Sequence, residues 1–363
     1  MTLDLVVVQE IEYPKFMSFE LLDKWADGIP IFSKRDAEHP EWKPTPVFPL
    51  DLSSEGAGRV YIKNEADRSS NPTGTIKDRA AWELTTLFRD YARAISLRKK
   101  AGLQKESIDS LEIPRFSVIT AGNVGKALSE VFKKYQLPPI KIIVDFSISS
   151  QRLEALKKLY ADIYMVDLSR KKLSPQEIKK LTNNGNGLDI TSVKSIEPNA
   201  IFYDWHVHES FNENPDEIYV PYGSGRVFEN YLTWQYRTSR SANERDIDPR
   251  LRTSIEKVIG ISILGAEPER ADSAADKLTK RYNFDIFDDE DISALSNLRF
   301  TGKSTGVYRV PESKIRQAYE ILSKYCETEP SGSAGLALYL QRFNEGKIDT
   351  RDKVLIVNTG KGI

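Results

Sequence analysis

One lysine in this chain stands where a turn leads into a helix, which suits covalent chemistry at its amine. Residues 70–79 read Ser-Asn-Pro-Thr-Gly-Thr-Ile-Lys-Asp-Arg, so an Asn-Pro-x-Gly turn comes just before Lys77. Thr75 and Asp78 have the Thr-x-x-Asp spacing of a capping box, which predicts that a helix begins at about Ile76. The amine of Lys77 would then lie near the positive end of the helix dipole. A lysine in this position suits Schiff-base formation with a carbonyl compound, whereas a solvated surface charge is the plainer alternative.

Two more segments place glycines between a predicted strand and a predicted helix. Residues 221–227 read Pro-Tyr-Gly-Ser-Gly-Arg-Val and follow the apolar run 218–220. Glycines let backbone N–H groups approach a phosphate at a helix N-terminus, although a lone Gly-x-Gly is a weak signal. Residues 120–125 read Thr-Ala-Gly-Asn-Val-Gly, and this segment suits a bound α-carboxylate. An ordinary strand-to-helix turn is the alternative there, since asparagine tolerates left-handed backbone conformations.

The composition argues against several function classes. The chain has 363 residues with 52 basic and 53 acidic side chains, so its charge favours neither nucleic acid nor a membrane surface as a partner. Cys326 is the only cysteine, which rules out an intrachain disulfide and a cysteine-based metal cluster. No stretch approaches the ~18 consecutive apolar residues of a membrane span, and the first residues do not resemble a secretory signal. We therefore expect a cytoplasmic protein.

Two histidines could form half of a zinc site. Residues 205–208 read Trp-His-Val-His, and in a β-strand this alternation would place His206 and His208 on one face. The third histidine, His39, is far away in the sequence. Partly buried polar residues near a domain junction are the favoured interpretation, so we predict no bound metal.

Short β-branched runs alternate with segments of helical period along most of the chain, which predicts an α/β protein with parallel strands. After Thr120, apolar residues recur at the spacing of an amphipathic helix as far as Tyr135. The first fifty residues contain six prolines and predict an irregular wrap. The predicted strands are residues 60–62, 116–120, 141–145, 162–166, 200–203, 217–221, 258–265 and 354–358.

The motifs resemble, in their order along residues 43–363, those of the fold-type II pyridoxal-phosphate enzymes, the family of cysteine synthase, threonine synthase and cystathionine β-synthase. Residues 70–79 resemble the family's Asn-Pro-x-Gly-Ser-x-Lys-Asp-Arg signature. This implies that Lys77 carries pyridoxal 5′-phosphate as a Schiff base and acts as acid and base. Residues 221–227 resemble the family's phosphate-binding turn. The implied cofactor-binding residues there are Gly223, Ser224, Gly225, Arg226 and Val227.

Arg226 departs from the family pattern, since the family usually has a further glycine at this position. Two alternatives follow for its side chain. Either the guanidinium reaches the phosphate, or it points away and only the backbone N–H of Arg226 contributes.

Residues 120–125 resemble the family's Ser-Gly-Asn-Thr-Gly loop. The resemblance implies that Asn123 forms a hydrogen bond with the 3′-oxygen of the cofactor. It also implies that the substrate carboxylate is held by the loop residues Thr120, Ala121, Gly122, Asn123 and Val124. Ala121 and Val124 replace hydroxyl residues of the family, so two donors are missing, each worth about 1.5–3 kcal/mol.

Two hydroxyl residues are candidates to face the pyridine nitrogen of the cofactor. Residues 358–362 read Asn-Thr-Gly-Lys-Gly and resemble the threonine-synthase ending, which implies this role for Thr359. A neutral partner would leave the ring nitrogen largely unprotonated, which suits elimination and replacement at the β- or γ-carbon. Residues 329–335 resemble the Ser-Gly-Ala helix start of cysteine synthase, so Ser331 is the second candidate. A helix N-cap is the structural alternative for Ser331.

The resemblance also implies the architecture. It predicts two three-layer αβα domains with mostly parallel twisted sheets and the cofactor in the cleft between them. Residues 1–70 and 196–363 would form the larger cofactor-binding domain, and residues 71–195 the smaller mobile domain with the lysine segment and the asparagine loop. A homodimer is implied by the resemblance alone.

The resulting hypothesis is an enzyme that eliminates or replaces a group at the β- or γ-carbon of a small amino-acid substrate, as threonine synthase or cysteine synthase does. A cofactor-binding homologue without turnover, acting as a binding or regulatory protein, is the alternative. A nucleotide-binding α/β protein that uses the turn at Gly223–Gly225 for a phosphate is a third interpretation.

Overall fold

The protein contains two β-sheets flanked by helices. The computed structural model describes residues 5–29, 43–52, 59–102, 111–120, 122–168, 173, 175–182, 187–190, 202–242, 249–279 and 304–362. The six-stranded sheet has the order β10-β9-β8-β11-β3-β2, with β2 Val47–Pro49, β3 Arg59–Asn64, β8 Glu217–Pro221, β9 Ser262–Pro268, β10 Gly306–Val310 and β11 Lys353–Asn358. The five-stranded sheet has the order β1-β6-β5-β4-β7, with β1 Val6–Gln9, β4 Arg115–Ile119, β5 Ile140–Asp145, β6 Ala161–Val166 and β7 Gly187–Asp189.

The helices connect successive strands. In chain order they are α1 Phe19–Gly28, α2 Lys77–Lys100, α3 Asn123–Lys134, α4 Ser150–Lys157, α5 Pro175–Thr182, α6 Asp204–Asn212, α7 Arg226–Ala242, α8 Pro249–Gly260, α9 Glu312–Leu322 and α10 Ala334–Asn344. Across the ranges that the structure describes, no helix combines the length and the apolar character needed to cross a membrane.

The sheets are mostly parallel, as predicted for this fold class. Among the strands that the structure describes, only the edge strands β1 and β2 pair antiparallel with their neighbours. Every residue of β5 and every residue of β8 is buried, because helices cover both faces of a parallel sheet. The amphipathic helix predicted after Thr120 is α3, and it packs Leu128, Val131 and Phe132 into the core. The predicted two-sheet α/β fold is therefore confirmed.

One predicted strand is wrong at its described residues, and another begins too early. Residues 200–201 lie outside the described residues, and Phe202 and Tyr203 form a turn before α6. The segment 205–208 is therefore helical rather than extended. The buried residues of α6 are His206, Val207, Ser210 and Phe211. They form a stripe along one face of a helix and do not alternate as the residues of a strand do. The predicted strand 258–265 begins too early, since residues 258–260 end α8 and β9 begins at Ser262.

The expectation of an irregular N-terminal wrap is also wrong in part. Strand β1 pairs with β6, and α1 packs against α2. The hydroxyl of Ser18 accepts a hydrogen bond from the N–H of Leu21 at 3.3 Å and caps α1. Trp25 of α1 is fully buried, with its ring edge-to-face on Phe88 of α2. Although β1 lies within the predicted larger domain 1–70, its hydrogen bonds place it in the five-stranded sheet, and the domain assignment itself stays a prediction.

Glu83, in the second turn of α2, predicts a pH dependence of stability. Burial, with a smaller contribution from the nearby carboxylate of Asp204, raises the pKa of Glu83 to about 7. Ionising this buried side chain therefore opposes folding as the pH rises from about 4.5 to 7. We expect Glu83→Gln to raise the free energy of unfolding by roughly 2 kcal/mol at pH 8.5 and to change it little at pH 4.5, as measured by urea denaturation.

The exposed Glu130 of α3 offers a matched control for this measurement. Glu130→Gln should leave the free energy of unfolding unchanged at both pH values, because an exposed carboxylate keeps its hydration in the folded protein. An effect of Glu83→Gln that is the same at pH 4.5 and 8.5 would show that the ionisation of Glu83 does not oppose folding.

Candidate active site

A cavity of about 290 Å³ lies between the two sheets. Loops at the carboxyl ends of strands from both sheets border it, as expected for a ligand site in a parallel α/β protein. Among the residues that line the cavity are Lys77, Thr120, Gly122, Asn123, Val124, Gly223, Ser224, Gly225, Arg226, Val227, Ser331 and Thr359. These are all the predicted site residues that the structure describes, and Ala121 lies outside the described residues. The folding of the chain thus brings together segments that are far apart in sequence, while the role of each residue stays a prediction.

Lys77 is the first residue of α2, as predicted from the turn before it. The predicted capping box is not formed, however. The hydroxyl of Thr75 accepts a hydrogen bond at 3.3 Å from the N–H of Lys77, which is two residues later in the chain. The carboxylate of Asp78 reaches back to Thr73 and accepts hydrogen bonds from its N–H at 3.0 Å and its hydroxyl at 2.8 Å. Burial raises the pKa of Asp78 to about 6, although these bonds favour its ionised form.

The amine of Lys77 lies against Tyr203, the residue that precedes α6. The Nζ atom donates a hydrogen bond to the Tyr203 hydroxyl at 3.0 Å and lies 5.2 Å from the centre of the tyrosine ring. Tyr203 is only 2 % exposed and lines the cavity. No motif in the sequence marks Tyr203, because the run at residues 200–203 predicts a strand.

The end of the chain holds the lysine turn in place. The carbonyl of Thr359 accepts a hydrogen bond from the N–H of Ile76 at 3.1 Å, and the N–H of Lys361 donates to the carbonyl of Gly74 at 3.1 Å. Gly360 has a φ of +99°, and a Cβ there would lie 2.2 Å from the Gly74 carbonyl oxygen. Only glycine allows the two segments to approach this closely.

Ser331, the second candidate for the ring-nitrogen contact, is not a helix N-cap. Ser333 precedes α10 at that position. The Ser331 hydroxyl is buried and accepts a hydrogen bond from the N–H of Lys277 at 3.2 Å. Thr359 and Ser331 both line the cavity, so the geometry leaves both hydroxyls as candidates.

The glycine turn leads directly into α7. Gly225 has a φ of +80°, and Arg226 begins the helix. The first amides of a helix have no acceptor within the helix itself and favour an anion, and this end of α7 lines the cavity. The guanidinium of Arg226 donates to the carbonyl of Ile190 at 2.9 Å and lies over the ring of Phe202. This arrangement matches the second alternative for Arg226, in which its backbone N–H serves the turn.

Several residues of the cavity wall were missed by the sequence analysis. Arg152 of α4 forms an ion pair with Asp276 at 2.6 Å. Lys277 forms an ion pair with Glu329 at 2.5 Å, and its amine lies 3.5 Å from the side-chain oxygen of Asn123. Asp276 and Lys277 follow β9, and polar residues at the carboxyl end of a parallel strand are the signal that could have identified them.

A network of buried charges lies behind the lysine turn. Arg79 of α2 bonds Glu65 at 3.1 Å, and it also bonds both carboxylate oxygens of Glu209 of α6, at 2.7 and 2.9 Å. Lys63 lies 2.6 Å from Glu209. Burial by itself would raise the pKa of Glu65, but Arg79, His206 and Lys63 hold that pKa well below its usual range. The network therefore remains ionised and ties the starts of two helices to the end of β3.

His206 belongs to this network. Its Nδ1 atom lies 2.8 Å from the Glu65 carboxylate, and its Nε2 atom lies 2.8 Å from the hydroxyl of Tyr231. Burial lowers the pKa of His206. In the part of the chain that the structure describes, no group of three histidine, cysteine, aspartate or glutamate side chains could hold a metal ion. The favoured interpretation of His206 as a buried polar residue therefore agrees with the structure.

The two parallel sheets, and the lysine, asparagine and glycine segments around one cavity, define a fold-type II pyridoxal-phosphate enzyme. The family model described as pyridoxal-phosphate dependent enzyme matches residues 39–360. The chain therefore belongs to this family, which depends on pyridoxal 5′-phosphate. Among curated proteins, none matches the chain by sequence.

Solved structures share the fold at low sequence identity. A pyridoxal 5′-phosphate-dependent aspartate racemase is 17% identical with a TM-score of 0.59, over 96% of this chain and 97% of that chain. An O-acetylserine dependent cystathionine β-synthase from Helicobacter pylori is 18% identical with a TM-score of 0.58, over 88% of this chain and 93% of that chain. Maize serine racemase is 17% identical with a TM-score of 0.58, over 95% and 93%. These likenesses show the fold and do not select one reaction.

The buried network predicts a large loss of stability when Arg79 is removed. Arg79→Met should lower the free energy of unfolding by about 3–5 kcal/mol, because it leaves two buried carboxylates without their main partner. Urea denaturation followed by circular dichroism measures the change.

Arg68→Met provides the matched control, since the Arg68–Glu327 pair at 3.2 Å has side chains that are 54% and 55% exposed. Its loss should change the free energy of unfolding by less than about 1 kcal/mol. Equal stability of the two variants would contradict a structural role for the network.

Proposed function

We propose that the protein catalyses elimination or replacement at the β- or γ-carbon of an amino-acid substrate, with Lys77 as the Schiff-base lysine. The observation that carries this proposal is the shared cavity. The amine of Lys77, the asparagine loop and the start of α7 all face the same space of about 290 Å³. This volume is at the lower end of the roughly 300–1,000 Å³ of typical ligand pockets.

The donors around the cavity fit pyridoxal phosphate. The amine of Lys77 would bond to the aldehyde carbon, and the backbone N–H groups of residues 223–227 would bind the phosphate. Asn123 would contact the ring oxygen, and the hydroxyl of Thr359 or Ser331 the ring nitrogen. When bound, pyridoxal phosphate withdraws electrons from the α-carbon of an amino acid, which assists loss of the α-proton and of a group further along the chain.

The substrate carboxylate would bind at the start of α3. Asn123 and Val124, the first residues of this helix, line the cavity, and Gly122 precedes the helix with a φ of +150°. The Thr120 hydroxyl accepts a hydrogen bond from the N–H of Gly122 at 3.2 Å, which leaves its own hydrogen for the carboxylate. Val124 contributes only its backbone. We therefore infer that backbone amides do most of the carboxylate binding in this protein.

Lys77 would also move protons. With its amine free, the Nζ atom of Lys77 would take the α-proton of the substrate and return it. The ion pair between Arg152 and Asp276 joins α4 to the segment after β9 and closes the wall of the cavity. Such closure excludes water from the reacting carbons.

The choice between a threonine-synthase-like and a cysteine-synthase-like reaction rests on which neutral hydroxyl, that of Thr359 or that of Ser331, would face the ring nitrogen of the cofactor. The Thr359 ending favours the first reaction, and Ser331 is consistent with the second. A cofactor-binding homologue without turnover is the competing function, and the loss of a hydroxyl at Val124 is the observation in its favour. We also propose a homodimer, on the family resemblance alone.

An absorbance experiment tests the function. The purified protein with added pyridoxal phosphate should show the visible band of a lysine-bound cofactor, and Lys77→Ala should lack it. O-phosphohomoserine, O-acetylserine and O-phosphoserine are then added in turn, and at least one should change the band of the unaltered protein. Lys361→Ala serves as the control, because this exposed lysine lies beside the same turn and should leave the band intact.

Two outcomes would reject the proposal. A band that no amino acid perturbs would favour the homologue without turnover. A protein that stays colourless with added pyridoxal phosphate would overturn cofactor binding at Lys77 and favour the nucleotide-binding interpretation.

A further inference from the structure

Tyr203 contacts the Lys77 amine, and the motifs of the sequence assign it no role. Its hydroxyl lies 3.0 Å from the Nζ atom of Lys77. The side chain is 2 % exposed, and a buried hydroxyl without a partner costs about 1–3 kcal/mol. The bond donated by Lys77 therefore satisfies the oxygen of a phenol that has largely been removed from water.

The position of Tyr203 is set by the buried network. Tyr203 immediately precedes α6, and Glu209 in the second turn of α6 holds the guanidinium of Arg79 with two bonds, at 2.7 and 2.9 Å. Arg79 follows Lys77 by two residues in α2. The starts of α2 and α6 are thus joined twice, by Lys77 with Tyr203 at the cavity and by Arg79 with Glu209 behind it. This double connection holds the phenol at the amine with little freedom to move.

We propose that Tyr203 is a catalytic residue that holds the free amine of Lys77 in the cavity and exchanges a proton with it. This inference rests on the proposed function, in which Lys77 is the Schiff-base lysine. When the amine joins an aldehyde carbon, a C–N bond forms and the aldehyde oxygen leaves as water. Both hydrogens of that water come from the amine. Tyr203 accepts one of them at its oxygen while it donates its own, so that the phenol ends the step unchanged.

The rate of cofactor capture tests this role without a substrate. Cofactor-free protein is mixed with pyridoxal phosphate in a stopped-flow spectrometer, and the rise of the visible band is followed. Tyr203→Phe should lower the rate constant at least tenfold, since a positioned proton-transfer group contributes about 10²–10⁴-fold. The final height of the band and the dissociation constant of the cofactor should stay within twofold, because the residues of the phosphate turn are unchanged.

Two further variants make the result specific. Tyr339→Phe removes the hydroxyl of another buried tyrosine, on α10 and away from the cavity, and should leave the rate constant unchanged. Incorporation of 3-fluorotyrosine at position 203 keeps the shape and the hydrogen bond but supplies a more acidic phenol. It should move the pH profile of the rate constant to lower pH, which a purely structural tyrosine would not do.

The outcomes separate this inference from the proposed function. If Lys77→Ala lacks the band but Tyr203→Phe captures the cofactor at the normal rate, with the pH profile unmoved by fluorination, the role of Tyr203 is overturned and that of Lys77 stands. If Lys77→Ala keeps the band, the proposed function fails whatever Tyr203 does. Urea denaturation of Tyr203→Phe shows whether the variant is folded. If it is not, the pH profile of the protein with 3-fluorotyrosine at position 203 tests the role of Tyr203.

Discussion

The buried guanidinium of Arg79 is the constraint on which the site depends. A charge that is 1 % exposed must be neutralised, and here Glu65 and Glu209 do so from two different elements. Each carboxylate is in turn shared with Lys63. Removal of one charged side chain leaves the other buried charges without a partner. This loss destabilises the folded protein far more than the loss of a surface ion pair does. The network therefore specifies one arrangement of β3, α2 and α6, and this arrangement fixes the position of the Lys77 amine.

The two sides of the cavity differ in how they are held. On the side of the six-stranded sheet, the lysine turn is fixed between the buried network and the glycines at the end of the chain. Gly360 meets the turn so closely that no side chain fits between them. On the side of the five-stranded sheet, Arg152 of α4 connects the wall through an ion pair of partly exposed residues with Asp276. Such a pair contributes less to stability than the buried network does.

Much of the fold and of the site could be predicted from local sequence. Strands β8 and β11 contain continuous apolar runs, at residues 218–220 and 354–357, and such runs predict burial on both faces of the sheet. The motifs at Lys77 and Asn123 are turns followed by a helix start, and such turns depend on the nearest few residues. The same local reasoning was wrong at residues 200–208. A short run of aromatic and β-branched residues fits a strand and a helix equally well, and the contacts of His206 with Glu65 and Tyr231 decide between them.

The sequence by itself determined the fold class, the family and the segments that border the cavity, because apolar periodicity and turn-forming residues act over short distances along the chain. Only the tertiary structure placed Tyr203 on the amine of Lys77, which lies 126 residues earlier, and paired Arg152 with Asp276 across 124 residues. Neither contact has a sequence signature. Each arises because two packed elements hold side chains at hydrogen-bond distance, and that distance is set by the core and the buried charges beneath them.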